Sequence, residues 1–198
     1  MLEPVNILMV GAGGQGTILA SKVLAAAARA VGYEVKVSEM HGMAQRGGSL
    51  VTQVRLGEKV YSPHIAEGEA DYIMAFEQLE ALHWLLYLKP GGTIYINNQQ
   101  IDPVPVSAGV TEYPKGIIEF IKERVKNVVV LEAFRHAKEP GSEKAVNVVM
   151  LGALAPKLQI EEAHWRKAIA DNVPARFLEI NNTAFDAGLN AVYPGFNN

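Results

Sequence analysis

No cysteine occurs among the 198 residues of this chain. That removes disulfides, thiolate zinc sites, a cysteine nucleophile and the thiolate ligands that ordinary iron–sulfur clusters require. No apolar run approaches the ~18–20 residues that a membrane-spanning helix needs. The start, MLEPVNILMVGAGGQG, has no basic segment, and its apolar run breaks at glycine within a few residues. No secretory signal is therefore expected, and the cytoplasm is the expected compartment. Positive charge is also scarce. Eighteen Lys and Arg stand against 21 Asp and Glu, and the basic residues gather only in pairs such as Arg166 and Lys167. A nucleic-acid binder usually carries a strongly basic face, so no polyanionic partner is expected. The five histidines, His41, His64, His83, His136 and His164, form neither a His-x-His nor an i, i+4 pair, so no metal site is expected. There is no Gly-x-Ser-x-Gly motif, and hydrolase chemistry finds no support.

What is present alternates between strand and helix. Val5 to Val10 (VNILMV) is a short apolar run followed by a glycine-rich turn and an alanine-rich helix that stops at Gly32. Glu34 to Ser38 and Ser49 to Leu56 alternate with period two, as half-buried strands do. Asp71 to Phe76 reads as a strand, Glu77 to Leu88 as a helix, Lys89 to Gly92 as a turn and Thr93 to Ile96 as a strand. Val104 to Tyr113, broken by proline, reads as irregular or an edge strand; Lys115 to Val125 is helical. The β-branched run Val128 to Leu131 predicts a central strand, and Ser142 to Gly188 predicts three helices parted near Pro156 and Pro174. The expected fold is α/β: a three-layer sandwich with a mostly parallel Rossmann-like sheet and helices on both faces. Residues 1–190 form one expected domain and residues 191–198 a tail.

Gly11, Gly13 and Gly16 fit G-x-G-x-x-G between the first strand and its helix, with Gly14 loosening the turn further. Backbone amides there can face an anion at the positive end of a helix. Gln15 could reach a ligand, a neighbouring subunit or the helix end. Glu39, 23 residues beyond Gly16, lies near where a dinucleotide-binding fold places its ribose carboxylate. Alone, these residues fit an NAD(P)-binding dehydrogenase; they equally fit glycines that merely permit a tight turn. Lys22 could aid an anion site or be solvated.

The segment His41-Gly42-Met43-Ala44-Gln45-Arg46-Gly47-Gly48-Ser49 is polar, glycine-rich and unperiodic, so it reads as a second loop on the same edge of the sheet. Arg46 beside two glycines offers a permanent fork of donors to a carboxylate or phosphate, or else a solvated surface charge. The series continues with Val54-Arg55-Leu56-Gly57, Tyr61-Ser62-Pro63, Gly68-Glu69-Ala70-Asp71, Lys144-Ala145-Val146-Asn147, Leu151-Gly152-Ala153 and Asn182-Thr183-Ala184-Phe185 with Gly188. In this order and over nearly the whole chain, it resembles the gamma-type domain of 2-oxoacid:ferredoxin oxidoreductases. The wording HGMAQRGG in a free-standing chain of this length is most similar to the indolepyruvate branch; pyruvate, 2-oxoisovalerate and 2-oxoglutarate branches are the alternatives.

The resemblance implies a share in the oxidative decarboxylation of an aryl pyruvate with coenzyme A, giving an aryl-acetyl-CoA, carbon dioxide and reduced ferredoxin. It implies that thiamine diphosphate, magnesium and [4Fe-4S] clusters sit on a larger partner subunit, that ferredoxin is reached through the complex, and that this chain alone is inactive. Coenzyme A is the implied co-substrate. The expected contact residues are Gly11, Gly13, Gly14, Gln15, Gly16, Gln45, Arg46, Gly47, Gly48 and Ser49, with no catalytic residue and no metal ligand among them. A purely interfacial role for both loops is the competing expectation.

Overall fold

A computed structural model describes residues 2–13, 15–41, 48–138 and 142–194. The expectations placed on Gly14, Gln45, Arg46 and Gly47 lie outside the described residues. In chain order the elements are β1 (Val5–Ala12), α1 (Thr17–Ala30), β2 (Glu34–His41), β3 (Ser49–Gly57), β4 (Ala70–Ala75), α2 (Gln78–His83), β5 (Leu88–Asn97), α3 (Val104–Ser107) and α4 (Ile117–Arg124). They continue with β6 (Asn127–Leu131), α5 (Ala133–Lys138), α6 (Val146–Leu154), α7 (Glu162–Asn172) and α8 (Leu178–Val192).

The sheet order is β2-β3-β1-β4-β5-β6. β1, β4, β5 and β6 pair in parallel, whereas β3 is antiparallel to both β1 and β2. Since β3 reverses against each neighbour, β2 points along β1, and among the described strands only β3 opposes the rest. The mostly parallel sheet is therefore present. The β1–α1–β2 unit is present too, but its strands do not touch: β3 returns from β2 and fits between them.

Three segments differ from the sequence reading. Val128 to Leu131 lies in β6, at the sheet's edge instead of its centre. Val128 packs into the core on one face and Val129 into the core on the other, so both faces are covered although one hydrogen-bonding side is open. The helix expected to reach Leu88 stops at His83; a 3-10 turn, Leu85–Tyr87, leads into β5, which absorbs Lys89 to Gly92. Val104 to Tyr113 holds one helical turn and no strand.

Alternation along β1 divides the core. Ile7 and Met9 face the layer built by α1, α6, α7 and α8, whereas Leu8 and Val10 face α2 and α4. Every residue of α6 is buried, which explains why its sequence VNVVMLGAL is apolar all round except at Asn147. α8 closes over it so tightly that two glycines are needed. A Cβ on Gly152 would collide with the Phe185 carbonyl oxygen, and one on Gly188 with the Val149 carbonyl oxygen. The stretches Leu151-Gly152-Ala153 and Phe185 to Gly188 are thus the two sides of one helix crossing.

Candidate functional site

The parallel strands β1, β4, β5 and β6 end on one edge, and the first glycine turn leaves β1 there. The second loop lies between the end of β2 and the start of β3, which is the same edge because β3 is reversed. The two loops meet directly: the Gly13 N–H donates to the Gly48 carbonyl at 3.1 Å. That amide is consequently engaged within the chain and is not free to face an anion.

Gln15 folds back onto its own chain and does not cap the helix end. Its Oε1 accepts from the Ala12 N–H at 2.9 Å, and its Nε2 donates to the Phe76 carbonyl at 2.8 Å and approaches Gln99 Oε1 at 3.4 Å. A Cβ on Gly11 would lie 2.7 Å from Gln15 Oε1 and 3.1 Å from Phe76 Cβ, so this glycine makes room for the inward fold. Asn97, fully buried at the end of β5, donates to the same Phe76 carbonyl at 3.1 Å and to Gln99 Oε1 at 3.0 Å. Its Oδ1 accepts from the Ala133 N–H at 3.1 Å. Neutral amides thus tie the ends of β1, β4 and β5 to the start of α5 without placing charge in the joint.

Gly16 caps α1 at φ 78°, a left-handed conformation that suits glycine. Asn147 Nδ2 donates to the Gly16 carbonyl at 3.0 Å, and a Cβ on Gly16 would come within 2.8 Å of that nitrogen. Asn147, within the first turn of α6, therefore pins that helix to the first glycine turn across 131 positions of sequence. Beside this contact opens a cleft of about 530 Å³ lined by Gln15, Gly16, Leu19, Gln99, Phe134, Glu143, Lys144, Val146 and Asn147. Of the expected site residues that are described, only Gln15 and Gly16 line it.

Other candidates fall elsewhere. Glu39 and Lys22 line a separate groove with Arg29 between α1, β2 and α7. With β3 between β1 and β2, the strand bearing Glu39 stands two strand spacings, or roughly 10 Å, from the first glycine turn, which removes the geometry of a ribose carboxylate. His41 ends β2, its backbone paired with Leu50. Ser62 accepts from the His64 N–H and makes a turn. Trp165 and Phe185 are buried, with ring centroids 5.8 Å apart, and belong to the core.

Sequence reasoning passed over two carboxylates on this edge. Glu77 caps α2, accepting from the Glu80 N–H at 3.0 Å; it also accepts from the Ile101 N–H at 3.2 Å and from the Tyr113 hydroxyl. Glu80 accepts from the Ser49 hydroxyl at 2.5 Å. Both carboxylates are buried. A usable signal was the run Asn97-Asn98-Gln99-Gln100 directly after an apolar strand. Four carboxamides in succession have no periodicity to explain them, and they mark where the strand end is tied.

Burial first, and the Glu77 carboxylate second, push the Tyr113 phenol above the ordinary tyrosine range. A phenol whose proton is held more tightly in the folded state contributes full stability below its unfolded value of ~10 and loses it as pH rises further. Tyr113→Phe should therefore lower stability by about 1–3 kcal/mol at neutral pH, since the Leu79 N–H and Glu77 each lose a partner. Above about pH 10 it should flatten the decline of stability by about 1.4 kcal/mol per pH unit. Urea unfolding at pH 7 and across pH 9–11 checks both; equal slopes for the two proteins would count against this account.

Among the described residues the edge offers neutral amides, backbone groups, two buried, hydrogen-bonded carboxylates, and Glu143 and Lys144 in the lining of the cleft. Among the described residues no group of three or more His, Asp or Glu converges to hold a metal, and no helix is long and apolar enough to cross a membrane. With no cysteine either, the chain's residues do not fit an iron–sulfur cluster.

Comparison with known proteins gives a consistent picture. The family described as pyruvate ferredoxin/flavodoxin oxidoreductase matches residues 6–191. The chain is 39% identical to indolepyruvate oxidoreductase subunit IorB of Pyrococcus horikoshii, with 96% of each chain covered. It is 31% identical to 2-oxoglutarate synthase subunit KorC of Methanothermobacter thermautotrophicus, again with 96% of each covered. Among solved structures, the keto/oxoacid ferredoxin oxidoreductase gamma subunit from Geobacter sulfurreducens superposes with a TM-score of 0.72 at 26% identity, covering 96% of this chain and 97% of that one.

Proposed function

The chain belongs to the pyruvate ferredoxin/flavodoxin oxidoreductase family, and from that premise we propose that it is the smaller, non-redox subunit of an indolepyruvate:ferredoxin oxidoreductase. The observation that carries the reading is the end-to-end likeness to an indolepyruvate oxidoreductase subunit, which exceeds the likeness to a 2-oxoglutarate synthase subunit of equal coverage. The reaction joins indolepyruvate and coenzyme A: the bond to the carboxyl carbon breaks, carbon dioxide leaves, and a thioester forms to the sulfur as the thiol releases its proton. The two electrons released pass singly to two ferredoxins.

Thiamine diphosphate, magnesium and [4Fe-4S] clusters belong, in this proposal, to a larger partner subunit. The absence of cysteine, and of a converging acidic group among the described residues, supports that division. This chain's part is to shape one wall of a shared site on the coenzyme A side, using the two glycine loops joined at Gly13 and Gly48. Gln15 and Gly11 serve that wall from within by holding its shape. Arg46 would supply the cation for a phosphate or carboxylate.

Co-expression with the larger subunit tests the reading. The complex should reduce ferredoxin or a viologen dye with indolepyruvate in preference to pyruvate or 2-oxoglutarate, and this chain alone should do neither. Tight binding of NAD(H) by the isolated chain, with hydride transfer to a substrate, would restore the dehydrogenase reading. Within the assembled complex, Arg46→Ala should raise the apparent KM for coenzyme A about tenfold or more, the loss expected of a charge-assisted phosphate contact. An unchanged KM in an intact complex would leave the loops a purely interfacial role.

A further inference from the structure

We propose that Glu80 is a positioning residue of the candidate site: it holds the Gly48–Ser49 corner and, through that corner, the alignment of the two glycine loops. The inference rests on the proposal that these loops wall the coenzyme A side of a shared site.

Glu80 stands on α2, immediately past the end of β4, and is only 7% exposed. One carboxylate oxygen accepts from the Ser49 hydroxyl at 2.5 Å. Ser49 opens β3, and the carbonyl of the residue before it, Gly48, is the acceptor for the Gly13 N–H. A short path therefore runs from carboxylate to hydroxyl, along one residue of backbone, and across a hydrogen bond into the first glycine turn. The Trp84 indole N–H lies 3.4 Å from the same Ser49 oxygen and closes the corner from the side.

The carboxylate is held as firmly as it holds. Its second oxygen is 3.3 Å from His83 Nδ1, and its own backbone N–H donates to Glu77, which in turn takes the Ile101 N–H and the Tyr113 hydroxyl. Among the described residues Glu80 makes no ion pair with a lysine or arginine; His83 is its partner. A buried carboxylate is costly unless hydrogen-bonded, and glutamine of the same shape would accept from Ser49 without that cost. A neutral core would serve mere packing better. The strong acceptor here is spent on the corner where Gly48 meets Gly13, two residues with no side chain of their own to keep them in register. Small displacements of such a wall are felt by a ligand far more than by the fold.

The test uses the assembled two-subunit enzyme carrying Glu80→Ala, Glu80→Gln or Ser49→Ala, with coenzyme A varied at saturating indolepyruvate. Glu80→Ala and Ser49→Ala should each raise the apparent KM for coenzyme A about tenfold while kcat stays close to wild type, as when binding alone is lost. Glu80→Gln, which keeps an acceptor for Ser49, should restore most of the affinity, and the Glu80→Ala/Ser49→Ala double variant should be no worse than either single change. A fall in thermal stability with KM unchanged in Ser49→Ala would overturn the proposal and leave Glu80 a structural role; that variant also decides the matter if Glu80→Ala does not fold. Arg46→Ala separates the two ideas. If it raises KM while Ser49→Ala does not, the positioning role fails and the wall stands; if neither moves KM, the wall reading fails and this inference with it.

Discussion

Gly188→Ala should destabilise the chain by about 3 kcal/mol or more, lowering Tm by roughly 6–12 °C for a domain of this size. The sign is not obvious beforehand, because alanine in place of glycine within a helix normally gains about 1 kcal/mol. Here the added methyl would occupy the position of the Val149 carbonyl oxygen on the facing helix. Backbone cannot rotate away as a side chain can. Relief requires α6 and α8 to separate, and α6 is buried along its whole length. Every layer against it would loosen. Gly152→Ala meets the Phe185 carbonyl in the same crossing and should cost a similar amount, and the double change should cost less than the sum, since one separation relieves both collisions. Asn190→Ala, on the exposed side of α8, should be nearly neutral and serves as the control. Thermal unfolding of the four variants decides it; a Gly188→Ala protein as stable as wild type would mean the two helices do not cross at these glycines.

The same crossing shows how much of the fold could be read in advance. Glycines in two distant helical stretches were visible as part of a resemblance, but nothing in either helix says that they face one another. Helix periodicity reports which side is buried, not against what. The strands tell a similar story. The continuous apolar run from Val128 to Leu131 predicts a central strand, yet it lies at the sheet's edge. Apolar side chains register the covering of a strand's two faces, and β6 is covered on both; they carry no information on whether a hydrogen-bonding neighbour stands on each side. Insertion of β3 between β1 and β2 was hidden for the same reason, since alternation is equal in parallel and antiparallel strands. What was legible is what local chemistry dictates: the glycine turn ahead of α1, the alanine-rich body, the stop at Gly32 and the breaks near Pro156 and Pro174.

At the site, the first glycine turn was legible, and its meeting with Gly48 followed from the shared edge of the sheet. The residues that hold them were not. Glu77 and Glu80, at i and i+3 of a short helix, have the spacing of a solvated face, and only the tertiary fold buries them against Ser49 and Tyr113. The role of Asn147 was hidden as well, because its long-range partner, the Gly16 carbonyl, is a backbone group and leaves no mark in the sequence.

Gln15 is where this hidden support should have its greatest effect. Gln15→Ala leaves the Ala12 N–H without its acceptor and removes one of two amide donors from the Phe76 carbonyl. With Ala12 buried, the loss should be about 2–4 kcal/mol. Gln15→Glu should be worse at neutral pH despite its shape. It keeps the acceptor for Ala12, but turns a second oxygen toward the Phe76 carbonyl and Gln99 Oε1, where a donor is required. A carboxylate facing two carbonyl-type oxygens favours its protonated form, so its folded value rises above the unfolded one. Stability of that variant should be greatest in acid and fall as pH rises through the carboxylate range, the reverse of the usual acid denaturation. The joint can also be examined from its other side. Gly11→Ala meets both Gln15 Oε1 and Phe76 Cβ, so its cost should shrink once Gln15 is alanine and only the Phe76 contact remains. Unfolding of wild type, both single variants and the double variant gives that coupling directly. Strict additivity would mean that Gln15 does not lie beneath the first glycine, and the inward fold of its side chain would have to be abandoned.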